Sequence, residues 1–178
     1  MENHTQARED RFNGLFDAHY GAVRAYAWRR DPSSADDVVA ETFLVAWRRL
    51  EDVPADSLPW LIGVARKVRM NMRRAERRRS EREDRARPGA PETSTADLVL
   101  GRLGLRDALA RLPERDREII LLTAWEGLDR AAIARVLGCS RANVGLRLFR
   151  ARRRLEDGLT EPDPPRANPH TEGAARAC

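Results

Sequence analysis

Apolar residues recur at three- and four-residue steps through the first part of the chain, and this spacing predicts three amphipathic helices. The first is predicted from Phe12 to Trp28. The second follows Ser34, which together with Asp37 has the spacing of a capping box. The third starts near Ser57, with a proline tolerated in its first turn. The predicted buried stripes of the second and third helices are Val39, Phe43, Ala46 and Leu50, and Leu61, Ala65, Val68 and Met72, respectively.

The helical pattern is interrupted once and then lost near the C-terminus. Residues 80–102 are rich in proline, glycine, serine and threonine, a composition typical of a flexible linker. Residues 160–178 contain four prolines and almost no large apolar side chain, so we expect a disordered tail. The chain is therefore predicted to be all-α, with two small helical domains at residues 9–79 and 103–159 joined by the linker.

The second domain carries the pattern of a helix-turn-helix. Gly138 can adopt the left-handed conformation of a tight turn, and Ser140 can cap the helix that follows. One face of that helix is apolar and consists of Val144, Leu148, Ala151 and Leu155. The opposite face presents Leu146, Phe149, Arg150 and Arg153. A helix that packs on one face and is basic on the other suits recognition of the DNA major groove.

Charge strengthens the case for a nucleic-acid partner. The formal net charge is +5 and arginine supplies nearly all the positive charge, since Lys67 is the only lysine. A GC-rich genome would explain arginine in place of lysine, but it would not explain where the charge clusters. Five arginines lie within residues 147–154, and they repel one another unless an anion compensates them.

Two further surfaces of the first domain are candidates for binding. The second helix has a mixed acidic and apolar face that suits a protein partner, formed by Asp37, Glu41, Leu44 and Arg48. The third helix has a strip suited to a phosphate backbone, formed by Arg66, Lys67, Met70, Arg74 and Arg77. Trp60, at the head of this helix, offers an aromatic surface on which unpaired bases can stack.

The sequence also bears on whether the protein has disulfides, membrane spans, or metal and catalytic sites. The two cysteines, Cys139 and Cys178, lie in unrelated contexts, so we expect no disulfide and a cytoplasmic location. No apolar run approaches the ~20 residues of a membrane span. We expect no metal, no cofactor and no catalytic residue, and His19 is interpreted as a core residue. No paired cysteine or histidine has metal-binding spacing.

Two other classes of protein remain as alternatives. A nuclease or recombinase could use Asp36, Asp37 and Glu41 as magnesium ligands, although acidic residues at a helix N-terminus are stabilised by the helix dipole in any case. A simple regulator could bind DNA alone, with the first domain as a sensor. The first alternative predicts metal-dependent cleavage of DNA, and the second predicts tight binding to an operator without any other protein.

Four segments, in order, resemble the motifs of extracytoplasmic-function (ECF) sigma factors of bacterial RNA polymerase. Asp36 to Trp47 and Pro59 to Arg66 are similar to the two motifs of the first sigma domain. Leu112 to Leu122 and Val144 to Leu155 are similar to those of the last. The resemblance spans roughly Phe12 to Leu155. It implies a transcription initiation factor that binds core polymerase and promoter DNA and catalyses no reaction itself.

The resemblance assigns an expected partner to each surface. The helix with Asp37 would dock on the β′ clamp coiled coil, and the second domain would bind the β flap. Trp60 and the basic strip of the third helix would hold the melted minus-ten element. An anti-sigma factor is a further candidate partner, and no membrane insertion is expected. The residues expected to contact the minus-thirty-five element are Ser140, Arg141, Asn143, Arg147, Phe149, Arg150 and Arg153.

This chain departs from the family pattern at two places. Family members usually have Ala-Arg-Asn where this chain has Ala65-Arg66-Lys67, so a cation replaces a polar amide. In the recognition helix, Gly145 and Leu146 stand where relatives often place polar or basic residues that read bases.

Overall fold

The computed structural model describes residues 2–84 and 103–160, and within these ranges it contains helices and no strand. The all-α prediction is therefore confirmed. Two single-turn 3-10 helices, Pro32–Ser34 and Leu50–Asp52, flank the second α-helix. The α-helices are α1 Glu2–Arg30, α2 Ala35–Arg48, α3 Ser57–Asp84, α4 Leu103–Arg111, α5 Glu114–Ala124, α6 Arg130–Leu137 and α7 Arg141–Thr160.

Helices α1 to α3 form the first domain around a shared apolar core. Val23 and Tyr26 of α1, Phe43 of α2 and Leu61 and Ala65 of α3 are all buried. In the stripes predicted for the second and third helices every residue is buried except Met72, which is half-buried. The 3.6-residue period of these two helices therefore predicts the side that packs.

Helix α1 is longer than the apolar pattern predicts, because contacts with α2 hold its polar N-terminal part. The guanidinium of Arg8 lies 4.8 Å from the centre of the Trp47 ring and donates a hydrogen bond to the Trp47 carbonyl at 2.9 Å. Phe12 contacts the same ring edge-on, with the ring centres 5.2 Å apart. The Arg8 cation on the face of the Trp47 ring stabilises a turn that lies before the apolar pattern, and the half-buried pair of Phe12 and Trp47 adds to it.

The expected capping box at the start of α2 is wrong. Ser34 occupies the N-cap position but makes no side-chain capping bond. Asp31 instead caps the preceding turn, accepting hydrogen bonds from the backbone nitrogen of Ser33 at 3.1 Å and from its hydroxyl at 2.6 Å. An extra turn of 3-10 helix precedes α2, so the capping side chain is the carboxylate of Asp31. This residue lies three positions before Ser34, the cap that the sequence pattern predicts.

Helix α3 ends at Asp84, so the first five residues of the predicted 80–102 linker are helical. The remainder of that linker, up to residue 102, lies outside the described residues. Helix α7 ends at Thr160, and the rest of the predicted 160–178 tail likewise lies outside them.

Helices α4 to α7 form the second domain, and it packs directly against the first. Its core includes Ile119 and Leu122 of α5, Ile133 of α6, and Val144 and Leu148 of α7. Across the domain boundary α3 lies against α6, and the two apolar cores are continuous. At this contact a Cβ atom on Gly63 would lie 3.7 Å from the Cα atom of Val136, an ordinary van der Waals distance.

Candidate functional site

The turn between α6 and α7 is fixed by local hydrogen bonds, as the sequence predicts. The Asp129 carboxylate caps α6 by accepting from the Ala132 nitrogen at 2.7 Å. Gly138 ends this helix with φ of 65°, a left-handed conformation that residues with a side chain rarely adopt. Ser140 then caps α7, its hydroxyl accepting from the Asn143 nitrogen at 3.2 Å. These bonds define the orientation of α7 relative to α6.

Helix α7 has a packed face and an exposed face. Val144 and Ala151 are fully buried, and Leu148 is 5% exposed. On the opposite side Phe149 is 67% exposed, and Arg150 and Arg153 are exposed beside it. Among the described residues neither arginine forms an ion pair. This exposed surface is the part of the second domain that is best suited to contact an anionic partner.

Two arginines within residues 147–154, one of them the predicted DNA-contacting residue Arg147, are bonded to their own domain. The Arg147 Nε donates to the Asn143 side-chain oxygen at 2.9 Å, and its Nη1 lies 4.0 Å from the Asp116 carboxylate. Arg154 also pairs with Asp116, which is itself buried. Arg147 and Arg154 therefore tie α7 to α5, and Asp116 is a structural residue that sequence reasoning did not single out.

The predicted polymerase-docking residues are on an accessible side of α2. Asp37, Leu44 and Arg48 are exposed, while Glu41 is half-buried. Thr42 and Phe43, on the other side of the helix, are buried. Leu44 is 40% exposed, so this face of α2 offers an accessible apolar side chain between its charged residues.

The predicted minus-ten residues on α3 are not equally accessible. Lys67, Arg74 and Arg77 are exposed. Met70 is half-buried, as is Trp60, which packs against the core. Trp60 is therefore partly structural and offers only part of its ring to a base.

Arg66 is occupied by a residue of the second domain. Its Nε donates to the Glu118 carboxylate at 2.9 Å, and the two side chains are only 21% and 9% exposed. Burial alone lowers the pKa of Arg66, but the hydrogen bond and the negative charge of Glu118 outweigh it and raise that pKa above its ordinary value. The positive charge of Arg66 is thus paired with a negative charge of the second domain at the contact between the two domains.

Several further ion pairs cross this boundary, among them Arg73 with Glu114 at 4.0 Å and those formed by Glu126 and Asp56. Glu126, which follows α5, accepts from Arg29 and from Nη1 of Arg30 at 3.1 Å. The side chains of Glu126 and Arg30 are 5% and 7% exposed. Asp56 and Arg135 form a second pair at the edge of the boundary, where both side chains are more than half exposed.

An open groove of about 410 Å³ lies beside the loop that precedes α3. His19 and Ser57 are hydrogen-bonded in its wall, with 2.8 Å between the imidazole Nε2 and the hydroxyl oxygen. Arg11 holds the loop by donating to the Val53 carbonyl at 3.3 Å and pairing with Glu51 at 3.2 Å. His19 is thus a half-buried structural residue. The groove could not be predicted from the sequence, because its walls come from α1 and from a loop about 40 residues later.

Comparison with known proteins shows the family of this chain. The model of Sigma-70 region 2 matches residues 15–79, and that of Sigma-70, region 4 matches residues 102–155. The chain is 37% identical over 155 residues to the ECF RNA polymerase sigma factor SigL of Mycobacterium tuberculosis, an alignment that covers 83% of this chain and 88% of SigL. The chain belongs to the ECF sigma factors. Sigma factors bind RNA polymerase and promoter DNA, so this sigma factor is a promoter-recognition subunit.

Other relatives agree with this assignment. RNA polymerase sigma factor NccH of Alcaligenes xylosoxydans xylosoxydans is 33% identical over 135 residues, which are 69% of this sigma factor and 72% of NccH. Among solved structures, RpoE of Bartonella quintana, crystallised with the anti-sigma factor NepR, superposes with a TM-score of 0.63 at 26% identity and covers 83% of this sigma factor and 96% of RpoE. CnrH, in complex with the cytosolic domain of CnrY, gives a TM-score of 0.55 at 30% identity, with 83% and 86% covered.

The described residues contain no group of three or more histidine, cysteine or acidic side chains placed to hold a metal ion, so Asp36, Asp37 and Glu41 do not form such a group. None of the helices in the described ranges is long and apolar enough to span a membrane.

Proposed function

We propose that this sigma factor recognises promoters through three separate surfaces. The exposed face of α2 docks on the β′ clamp coiled coil, α3 with the loop before it holds the melted minus-ten element, and α7 reads the minus-thirty-five element while its domain rests on the β flap. The observation that carries the proposal is the pair of faces on α7, one buried and one bearing Arg150 and Arg153, behind a turn fixed by Gly138 and Ser140.

The division of labour follows from these surfaces. The sigma factor supplies promoter choice and DNA opening in the cytoplasm, and the polymerase supplies the phosphodiester chemistry. The chain itself acts as a binding protein and not as an enzyme. An anti-sigma factor is a proposed regulatory partner, by analogy with the complex of Bartonella quintana RpoE and NepR.

Use of Arg66 as part of the minus-ten surface requires the two domains to separate. The Arg66 guanidinium is paired with Glu118, so it is not available to a phosphate while the boundary is closed. Lys67, Arg74 and Arg77 are exposed in the same closed arrangement. We therefore propose that assembly with polymerase parts α3 from the second domain, which exposes Arg66 next to the groove-forming loop.

Run-off transcription tests the proposed function directly. Core RNA polymerase and the purified chain would be combined on a library of genomic promoter fragments, with core alone as the control. We expect promoter-specific transcripts only when the chain is added. Tight sequence-specific binding by the isolated chain, with no effect on polymerase, would favour a simple regulator, and metal-dependent cleavage of DNA would favour a nuclease.

Reversing the charges at Asp37 and Glu41 together should weaken binding to core polymerase. Charged groups at a protein interface that become unpaired or face like charge cost about 2 kcal/mol or more, so the affinity should fall by at least roughly ten-fold. Titration of labelled chain with core polymerase measures this. Reversal of Asp10 and Asp17, which are exposed on α1, provides the matched control. Equal affinity for all three proteins would exclude α2 as the docking surface.

Replacing the exposed residues Lys67 and Arg74 with alanine should impair promoter opening more than polymerase binding. Each cation that contacts the separated strand contributes electrostatic free energy only after melting. Transcription from duplex promoters should fall on the order of ten-fold, and templates mismatched across the minus-ten region should restore it. Equal loss on the duplex and mismatched templates would contradict a role in holding opened DNA.

A further inference from the structure

The exposed half of α7 that faces away from the core carries an apolar patch within a basic frame. Ala142, Gly145, Leu146 and Phe149 fall within an arc of about 100° on the helix. Leu146 is 50% exposed and Phe149 is 67% exposed, the latter being the most exposed large apolar side chain in the described part of the chain. None of these four side chains can form a hydrogen bond.

Arginines surround this patch. Arg141 and Arg150 are exposed on either side of it, and Arg153 continues the same arc one turn further along. The guanidinium of Arg130, from the start of α6, would lie 3.7 Å from a Cβ atom at position 145. A patch framed by cations suits an anionic partner better than an apolar protein surface, and the frame resembles the phosphate contacts of a helix lying in the major groove.

An apolar reading surface can recognise only certain features of a base pair. In the major groove, guanine, adenine and cytosine present hydrogen-bond donors and acceptors, whereas thymine adds a C5 methyl group. Leucine and phenylalanine side chains contact that methyl favourably and offer nothing to the polar edges. Leu146 and Phe149, one helical turn apart, can contact neighbouring base steps.

We propose that Leu146 and Phe149 read thymine methyl groups in the minus-thirty-five element, so that this sigma factor prefers thymines at the positions these residues face. The inference rests on the proposed function of α7. It gives a chemical role to Leu146, which stands where relatives often place a polar residue. Arg150 and the cations of the frame then position the helix on the phosphates on both sides of the methyl-reading patch.

The test uses holoenzyme made from this chain and core polymerase. A promoter library randomised across the upstream element first identifies the preferred sequences. Selected duplexes are then synthesised with uracil in place of thymine in the upstream element only, which removes each methyl and keeps every hydrogen-bonding group. Burial of one such carbon corresponds to about a four-fold change in affinity. We expect promoter binding to fall about four-fold for each thymine that is contacted.

Variants at the two apolar positions test whether the thymine methyl groups contact Leu146 and Phe149. Leu146→Ala should bind thymine and uracil templates equally at the position that Leu146 contacts. Phe149→Ala should do the same at the position that Phe149 contacts. Leu159→Ala is the matched control, since Leu159 is also 50% exposed but lies at the end of the same helix. It should retain the full difference. A cytosine placed at a contacted position instead of thymine should weaken binding. Methylation of that cytosine at C5 should restore part of the binding for the wild type but not for the two alanine variants.

The outcomes separate this inference from the proposed function. Promoter-specific transcription with equal binding to thymine and uracil templates would overturn methyl reading and leave the sigma function standing. Unchanged promoter preference in Leu146→Ala and Phe149→Ala would also overturn it and would direct attention to a protein partner for the patch. Absence of promoter-specific transcription on unmodified templates would instead contradict the proposed function.

Discussion

Replacing Leu148 with Asp is expected to unfold the domain formed by α4 to α7. Leu148 is 5% exposed and lies between the fully buried Val144 and Ala151. A carboxylate at this position would be buried without a partner and would cost more than about 4 kcal/mol. A domain of this size is stable by only roughly 3–9 kcal/mol, so the substitution removes most or all of its stability.

The neighbouring residue supplies the control. Phe149→Asp introduces the same side chain one position along, but Phe149 is 67% exposed, so the carboxylate would remain in water. Circular dichroism and thermal melting should show loss of helix for Leu148→Asp and a nearly unchanged melt for Phe149→Asp. Phe149→Asp should still abolish binding to the upstream element by repelling phosphate. Similar melting curves for the two variants would contradict the assignment of the two faces.

Replacing Glu126 with Ala is expected to separate the two domains. Its carboxylate is the shared partner of Arg29 and Arg30, and the side chains of Glu126 and Arg30 are almost completely buried. Removal of one member of a buried ion pair costs about 3–5 kcal/mol, because the remaining charge is left without compensation. Opening of the boundary returns both guanidiniums to water and avoids this cost, so the substitution shifts the equilibrium towards the open arrangement.

Small-angle scattering and the distance between fluorophores placed in the two domains measure this opening. Asp56→Asn removes the exposed pair with Arg135 at the edge of the same boundary, and exposed pairs contribute only about 0–1 kcal/mol. This control should remain compact. A compact Glu126→Ala chain with an unchanged melting temperature would show that the buried pair does not hold the boundary closed.

Most of the second domain could be predicted from sequence because its determinants are local. Gly138 and Ser140 act on their immediate neighbours, and the stripe containing Val144, Leu148 and Ala151 repeats within three turns. Left-handed glycine, a capping hydroxyl and helical periodicity all operate over a few residues. The turn, both helices and the direction of the packed face follow from them.

The contact between the domains could not be predicted in the same way. Arg66 and Glu118 are 52 residues apart in the chain, and Arg29 and Glu126 are 97 residues apart. A glutamate on a helix or in a turn is most often solvated, so nothing local distinguishes these two from other acidic residues. The same limit applies to Arg147, whose charge suggested DNA but whose nearest carboxylate, Asp116, comes from another helix.

The charge pairs across the boundary also bear on whether the two halves can be exchanged as modules. Each pair has one member in each domain: Arg29 and Arg30 with Glu126, Arg66 with Glu118, and Asp56 with Arg135. A hybrid that joined this first domain to the second domain of another sigma factor would bury Arg30 and Arg66 without carboxylates, unless its new half carried acids in matching places. The half proposed to hold melted DNA and the half proposed to read the upstream element are therefore expected to vary together, even though the promoter segments proposed for them are far apart.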